Sequence, residues 1–275
     1  MPIIILNLGL KTGRGIGMSK GLKILVIPDV QVKSDVPIDH LLHVGRFIAE
    51  KKPNVVVCIG DFADMPSLSF YDKGKKSFEN RRYRADIEAT TTAMMLLMQP
   101  IKDEIQRLKT NKKKQWKPRL VMTLGNHEAR ITRAVENDAI LEGVISLDDL
   151  PYQDWEVIPF LEVIEIGGVS FSHYFTSGTM GRPVGSARAL ITKKMTSCVQ
   201  GHIQTMDVAY SYKPNGDRVT GLMVGTCYQH HESYLTPQGN VHWRGVHMLY
   251  EVKDGSFDNH AISLGYLKGK YGNGQ

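Results

Sequence analysis

Cysteine is scarce in this 275-residue sequence, and an odd count of three excludes a complete disulfide framework. Cys58, Cys198 and Cys227 stand far apart, two of them inside apolar strand-like runs. They read as core thiols of a protein held in a reducing compartment, the cytoplasm. Long hydrophobic runs are missing too: no stretch approaches the roughly 18 apolar residues a membrane span requires, so no membrane partner is expected. The apolar opening from Pro2 to Leu10 has no positive segment before it and no small-residue cleavage site after it, which argues against a secretory signal. Internal repeats, low-complexity blocks and a clear interdomain linker are also lacking.

What is present is ordinary globular material. An apolar fraction of 42% with 23% charged residues suits a soluble core, and the length suffices for one domain over residues 22–275. Residues 11–21 (KTGRGIGMSKG) lack periodicity, so residues 1–21 read as a flexible leader, with Met18 a plausible natural start. GRGIG is not a phosphate loop, because no Gly-Lys-Ser/Thr follows it. The net charge of +6 leans toward polyanionic partners. Much of it is a local run, Lys109, Lys112, Lys113, Lys114 and Lys117, which reads either as a solvated loop or as a contact to nucleic-acid phosphates.

Strand and helix patterns alternate through the first half. Apolar runs at 22–28, 54–60 and 119–125 suit strands buried on both faces. Helical stripes cover 39–51, 80–108 (with an interruption expected near Pro100) and 128–137. Later, 157–166 and 169–174 flank Gly167-Gly168 as one hairpin, and 206–212 and 218–225 flank Pro214-Asn215-Gly216 as another. A helix at 184–196 and strands at 198–201, 246–252 and 261–264 complete the pattern. The expected fold is α/β: a two-sheet β-sandwich core flanked by helices, the second sheet mostly antiparallel.

The informative residues follow the strands. Asp29-Val30-Gln31 ends the first, Gly60-Asp61-Phe62-Ala63-Asp64 the second and Gly125-Asn126-His127-Glu128 the third. Ser172-His173 and Gly201-His202-Ile203-Gln204 end two later ones. Open α/β sheets place their sites at the carboxyl ends of strands, so these residues converge on one rim although they are distant in sequence. Carboxylates, an amide oxygen and imidazoles at one point form a mixed oxygen and nitrogen set suited to divalent cations.

The order DxH, GDxxD, GNH[ED], an isolated His and GHxH resembles the signature of calcineurin-like metallophosphoesterases from about residue 22 to 210. GDFAD and GNHE match letter for letter. The phrases IPDVQVK, DMPSLSFYDKG and QGNVHWRG resemble a phage-encoded branch described as phosphoesterases or DNA-repair-type exonucleases; in that case the cytoplasm is that of the host. The resemblance implies a two-metal phosphoester hydrolase in which a hydroxide generated between the cations attacks phosphorus in line. Asp61 would bridge both cations, with Asn126, His173 and His202 on one and Asp29, Gln31 and Gln204 on the other. His127 would protonate the leaving oxygen, and Asp64 would fix its tautomer.

Two family histidines are glutamine here: DxH reads DVQ and GHxH reads GHIQ. Either that half has decayed, or Gln Oε1 replaces His Nε2 as a neutral ligand. The second reading gives an all-oxygen set that favours Mn²⁺ or Mg²⁺, with Mn²⁺ first and Ni²⁺, Fe²⁺ or Zn²⁺ as the other options. Arg130 is a candidate contact to substrate phosphate or a helix-surface salt bridge, and His230, in Tyr228-Gln229-His230-His231, a candidate substrate contact. His242, Trp243 and Arg244 suit a base or phosphate contact or ordinary packing, whereas His40, His43, His247 and His260 read as structural. The leading expectation is a phosphodiesterase acting on nucleic acid (DNA or RNA) or nucleotides. The alternatives are a phosphomonoesterase and a phosphoesterase-fold binding protein.

Overall fold

The computed structural model describes residues 21–232 and 235–272; apart from Gly21, the expected leader lies outside them. The strands and helices run β1 (Leu22–Ile27), α1 (His40–Lys51), β2 (Val55–Cys58), α2 (Tyr83–Thr110), β3 (Arg119–Thr123), α3 (Ala129–Asn137), β4 (Glu156–Ile158), β5 (Ile164–Ile166) and β6 (Val169–Ser172). They continue with α4 (Ala187–Lys194), β7 (Cys198–Gln200), β8 (Met206–Tyr212), β9 (Arg218–Val224), β10 (Gly245–Lys253), β11 (Ser256–Ser263) and α5 (Leu264–Tyr271).

Six strands form one sheet in the order β11-β10-β1-β2-β3-β4, and five form the other in the order β5-β6-β7-β9-β8. In the first, β1 to β4 are parallel and β10 and β11 antiparallel. In the second, the inner pairs β6/β7 and β7/β9 are parallel, while β5/β6 and the long β8/β9 hairpin are antiparallel and hold most of the paired length. The period of two sorts each apolar run onto two faces. Ile24 and Val26 of β1 face inward with Val57, Phe171, Val199 and Leu222, forming the core between the sheets. Leu25 and Ile27 face outward onto Leu41 and Val44 of α1 and Leu97 of α2. On the far side α4 covers the second sheet through Ala187 and Ile191. The sequence expectation of a helix-flanked sandwich therefore holds. No helix among the described residues is long and apolar enough to cross a membrane.

Three local expectations are corrected. α2 runs unbroken for 28 residues through Pro100. An internal proline costs about 3 kcal/mol, but burying Leu97 and Ile101 against α1 and the sheet returns about 2 kcal/mol each. The run 157–166 is not one strand. Pro159, which has no N–H, and Leu161 at φ 70° end β4 in the first sheet and carry the chain across to β5 in the second. The strand expected at 261–264 is the end of β11, after which Ser263 caps α5 by accepting from the Tyr266 N–H.

The basic run 109–117 joins the end of α2 to the start of β3. It therefore lies at the opposite end of β3 from Gly125–Glu128, away from that rim. The solvated-loop reading fits this position. The three cysteines are buried free thiols, as expected.

Candidate metal centre

Asp29, Asp61 and Asn126 follow β1, β2 and β3, while His173 and His202 follow β6 and β7. The two sheets thus bring strand ends from both halves of the chain to one place. Backbone hydrogen bonds tie the loops together: Val30 N and Gln31 N donate to Asp61 O at 3.1 and 2.8 Å, and Cys227 N donates to Asp29 O at 2.8 Å. Glycine is required where the backbone meets a carboxylate. A Cβ on Gly125 would stand 2.0 Å from Asp61 Oδ1, and one on Gly201 would stand 2.6 Å from Asp29 Oδ1.

Donor atoms of Asp61, His173 and His202 lie within 4.8 Å of one another. His173 Nδ1 is 2.8 Å from Ile59 O and so carries the proton it donates. Its Nε2, 3.0 Å from Asn126 Oδ1 and 3.2 Å from Asp61 Oδ2, is the nitrogen left to ligate once a cation displaces its proton. Several electron-rich atoms facing one point suit a cation, and the carbonyl partner on Nδ1 is the usual support of a ligating histidine. Asp61 Oδ1 accepts from His127 N at 2.9 Å, which leaves Oδ2 aimed at that point.

The charge balance fits the same group. Burial raises Asp61, but His127 and His173 outweigh it and hold the carboxylate below its usual range. Burial works to lower His173, yet Asp61 and Asp29 lift it to about 9. Burial, followed among the raising influences by Asp61, pushes Asp29 up to about 7. Its Oδ1 accepts from His202 N at 3.1 Å, and its buried Oδ2 has no hydrogen-bond partner among the described residues. An orphaned buried carboxylate oxygen is costly, and a divalent cation meets its need. Burial and His173 lower His202 to about 4, so its imidazole is neutral, the form that ligates.

The two glutamines lie at the same end. Gln31 is fully buried and its backbone is bound to Asp61. Gln204 Oε1, the atom a cation would use, accepts from the Tyr228 hydroxyl at 3.1 Å. Tyr228 is itself fully buried, stacks on His230 at 4.5 Å and lies under the Arg244 guanidinium at 5.0 Å.

His127 sits on the opposite flank. Its Nδ1 is 2.7 Å from Asp64 Oδ1, and its Nε2 is 3.7 Å from Asp61 Oδ2. Burial lowers its pKa, but Asp61 and Asp64 more than offset that and raise it. Arg130 is neither a pure surface salt bridge nor a free phosphate contact. Its Nη1 donates to Asp64 O at 2.8 Å, and its Nη2 lies 3.3 Å from His127 Nε2. His230 is also engaged, with Nε2 2.6 Å from Glu232 Oε1. Trp243 packs beside His247, and His242 turns Nδ1 toward Gly239 O at 2.9 Å. His40 and His247 are buried against backbone carbonyls, as the structural reading expected.

Sequence reasoning missed three residues that organise the site. Glu128 is fully buried, and its carboxylate accepts from Asp61 N, Gly125 N and Ala63 N at 2.9–3.0 Å and from Tyr152 OH at 3.1 Å. Lys33 Nζ bridges Asp64 Oδ2 at 3.1 Å and both oxygens of Glu232 at 2.7 and 2.8 Å. The position of Glu128 directly after His127 was the only sequence signal, and Lys33 and Glu232 carried none.

Three clefts open around α3 beside the site. One of about 970 Å³ is lined by Tyr152, Trp155, Phe160 and Arg133. One of about 370 Å³ holds Lys33, Asp64, Arg81, Arg130 and Glu232. One of about 770 Å³ holds Phe70, Tyr71, Lys73, Arg130 and Arg133.

Comparison with curated proteins gives no match. The family model for calcineurin-like phosphoesterases matches residues 22–217, a span that contains every strand-end residue gathered at the rim. The donor set and its match to that model lead to one conclusion: the chain belongs to the calcineurin-like phosphoesterase family.

Proposed function

We propose that this phosphoesterase is a two-metal phosphodiesterase acting on nucleic acid or nucleotides, with His127 as the general acid. The observation that carries the chemistry is the convergence of Asp61, Asn126, His173 and His202 on one point beside the His127–Asp64 pair. Those four residues would hold one cation. Asp29, Gln31 and Gln204 would hold the other with Asp61 shared, an all-oxygen set that favours Mn²⁺. Two divalent cations held there would supply Lewis acidity toward the phosphoryl oxygens and a nucleophile at neutral pH. The chain's own contribution is positional. Asp64 accepts a hydrogen bond from the Nδ1–H of His127, so Nε2 is the nitrogen that would give its proton to the departing oxygen. Arg130, 3.3 Å from that nitrogen, supplies positive charge where the leaving oxygen becomes negative.

Support for a diester on nucleic acid is the set of arginines and lysines around the rim, and a rim flanked by clefts rather than closed over a small phosphate. The phage-type phrases around the motifs point the same way, and the buried thiols fit a cytoplasmic site of action. One contact favours a second reading, a weakened first-metal half: Gln204 Oε1 is already occupied by Tyr228 OH.

The test is metal analysis of the purified protein with rates on bis-p-nitrophenyl phosphate, p-nitrophenyl phosphate and single- and double-stranded DNA across Mn²⁺, Mg²⁺, Ni²⁺ and Zn²⁺. Repeating it with Gln31→His and Gln204→His moves the preference toward Zn²⁺ if both positions ligate. Activity that is best with Zn²⁺ and absent with Mn²⁺ would overturn the all-oxygen assignment. His127→Ala lowers turnover far more than metal content; loss of both metals in that variant would sink the role given to His127.

A further inference from the structure

Phe70 and Tyr71 are 79% and 81% exposed, two large rings side by side in water. They are held there by a braced turn. Arg81 Nη1 donates to Pro66 O at 3.0 Å and to Asp72 Oδ2 at 2.8 Å, and Ser67 N donates to Asp86 Oδ2 at 3.0 Å. The rings form part of the lining of a cleft that also holds Lys73, Arg130 and Arg133, against one carboxylate, Asp138. Two of its arginines join it to the catalytic flank: Arg130 Nη2 lies 3.3 Å from His127 Nε2, and Arg133 Nη2 donates to Asn126 O at 2.6 Å.

We infer that the Phe70–Tyr71 turn is a stacking platform for unpaired bases, leading a single-stranded stretch of nucleic acid past Arg133 and Arg130 into the site. This rests on the phosphodiesterase reading and adds the substrate class to it. The chemistry of the cleft is divided as a single strand requires. Exposed π faces suit bases and cations suit the phosphates between them, with sequence tolerance because every base has a π face. A duplex hides its base faces in its own stack and offers the rings nothing. A small phosphomonoester would not reach from the His127 flank to rings on the outer turn. The basic run 109–117 lies at the far end of β3, and the cations beside the rings are the three in this cleft.

The test uses the metal-loaded protein with a fluorescein-labelled dT12 strand. Binding is read by anisotropy with Ca²⁺ in place of Mn²⁺ to hold back cleavage, and hydrolysis is read with Mn²⁺. Replacing both rings by alanine (F70A/Y71A) weakens dT12 binding on the order of tenfold or more. It also lowers the ratio of kcat/KM on dT12 to kcat/KM on bis-p-nitrophenyl phosphate by at least about tenfold. Leucine at both positions restores apolar bulk without a stacking face and does not rescue binding, whereas tryptophan at both does. If the parent protein hydrolyses bis-p-nitrophenyl phosphate but F70A/Y71A binds dT12 as the parent does, this inference falls alone. The same holds if leucine rescues fully, or if a blunt duplex binds as tightly as dT12 and suffers the same loss. A parent inert toward every phosphodiester would instead overturn the proposed function.

Discussion

Glu128→Gln tests whether a buried carboxylate, rather than the cations, holds the site loops in place. The carboxylate receives four donors: Asp61 N and Gly125 N on Oε2, Ala63 N and Tyr152 OH on Oε1. Glutamine keeps one oxygen, which best serves the two amides on the Oε2 side. Its NH₂ then replaces Oε1, and the Tyr152 hydroxyl can turn to accept from it. The Ala63 N–H cannot turn, and is left buried without an acceptor. One such orphan costs about 1–3 kcal/mol, so Glu128→Gln should lose about that much in urea unfolding. Glu128→Ala orphans all four donors, and its loss of several kcal/mol approaches the whole net stability of about 5–15 kcal/mol. Tyr152→Phe alone should cost about 1 kcal/mol, since Oε1 keeps Ala63 N. It should cost more in the Glu128→Gln background, where the hydroxyl is the rescuing acceptor. A Glu128→Gln protein within about 0.5 kcal/mol of the parent, the range of an ordinary surface change, would refute the tether.

His40 and His247 are lowered to about 4, in each case by burial, while an unfolded histidine titrates near 6.5. Both are neutral when folded, so their contribution is present above about pH 6.5 and is lost as pH falls toward 4, at roughly 3 kcal/mol each. Either imidazole titrating at pH 6 or above by NMR would contradict this. Gly125→Ala puts a Cβ 2.0 Å from Asp61 Oδ1 and should strip bound metal, measured by elemental analysis. Gly185→Ala, with no atom within 4 Å of its added Cβ, should keep its metal. Lys33→Met leaves Asp64 and Glu232 without their shared ammonium and frees the carboxylate that orients His127. We expect kcat to fall about 10- to 100-fold with metal content intact, and a parental kcat would show that Lys33 does not position His127.

The strand-end residues were legible because both determinants are local. Apolar runs such as Leu22–Ile27 reveal buried strands, and at Gly60, Gly125 and Gly201 a polar residue beside a turn glycine marks where a run stops. The sandwich followed from the change of pattern after Trp155. Partnership was not legible. Glu128 Oε1 and Oε2 serve amides 65 and 67 residues earlier, and Lys33 meets Glu232 across 199 residues, separations that leave no trace in local pattern. Pro100 misled because a local rule met a tertiary one: the core contacts of Leu97 and Ile101 outweigh the lost hydrogen bond. The break between β4 and β5 was written in Pro159, but an apolar stretch on either side of it masked a change of sheet.

The loops at the rim are fastened by protein atoms to one another: Asp61 O holds two amides, Glu128 three, and Asp29 Oδ1 one. Ordering entropy is therefore spent during folding and not again when metal arrives. Zinc-finger peptides lie at the other extreme, where capturing the ion and folding are the same event. Here a chelator should yield a folded apoprotein that refills reversibly, and the ion carried in a cell should follow the local supply of each metal as well as the ligand set.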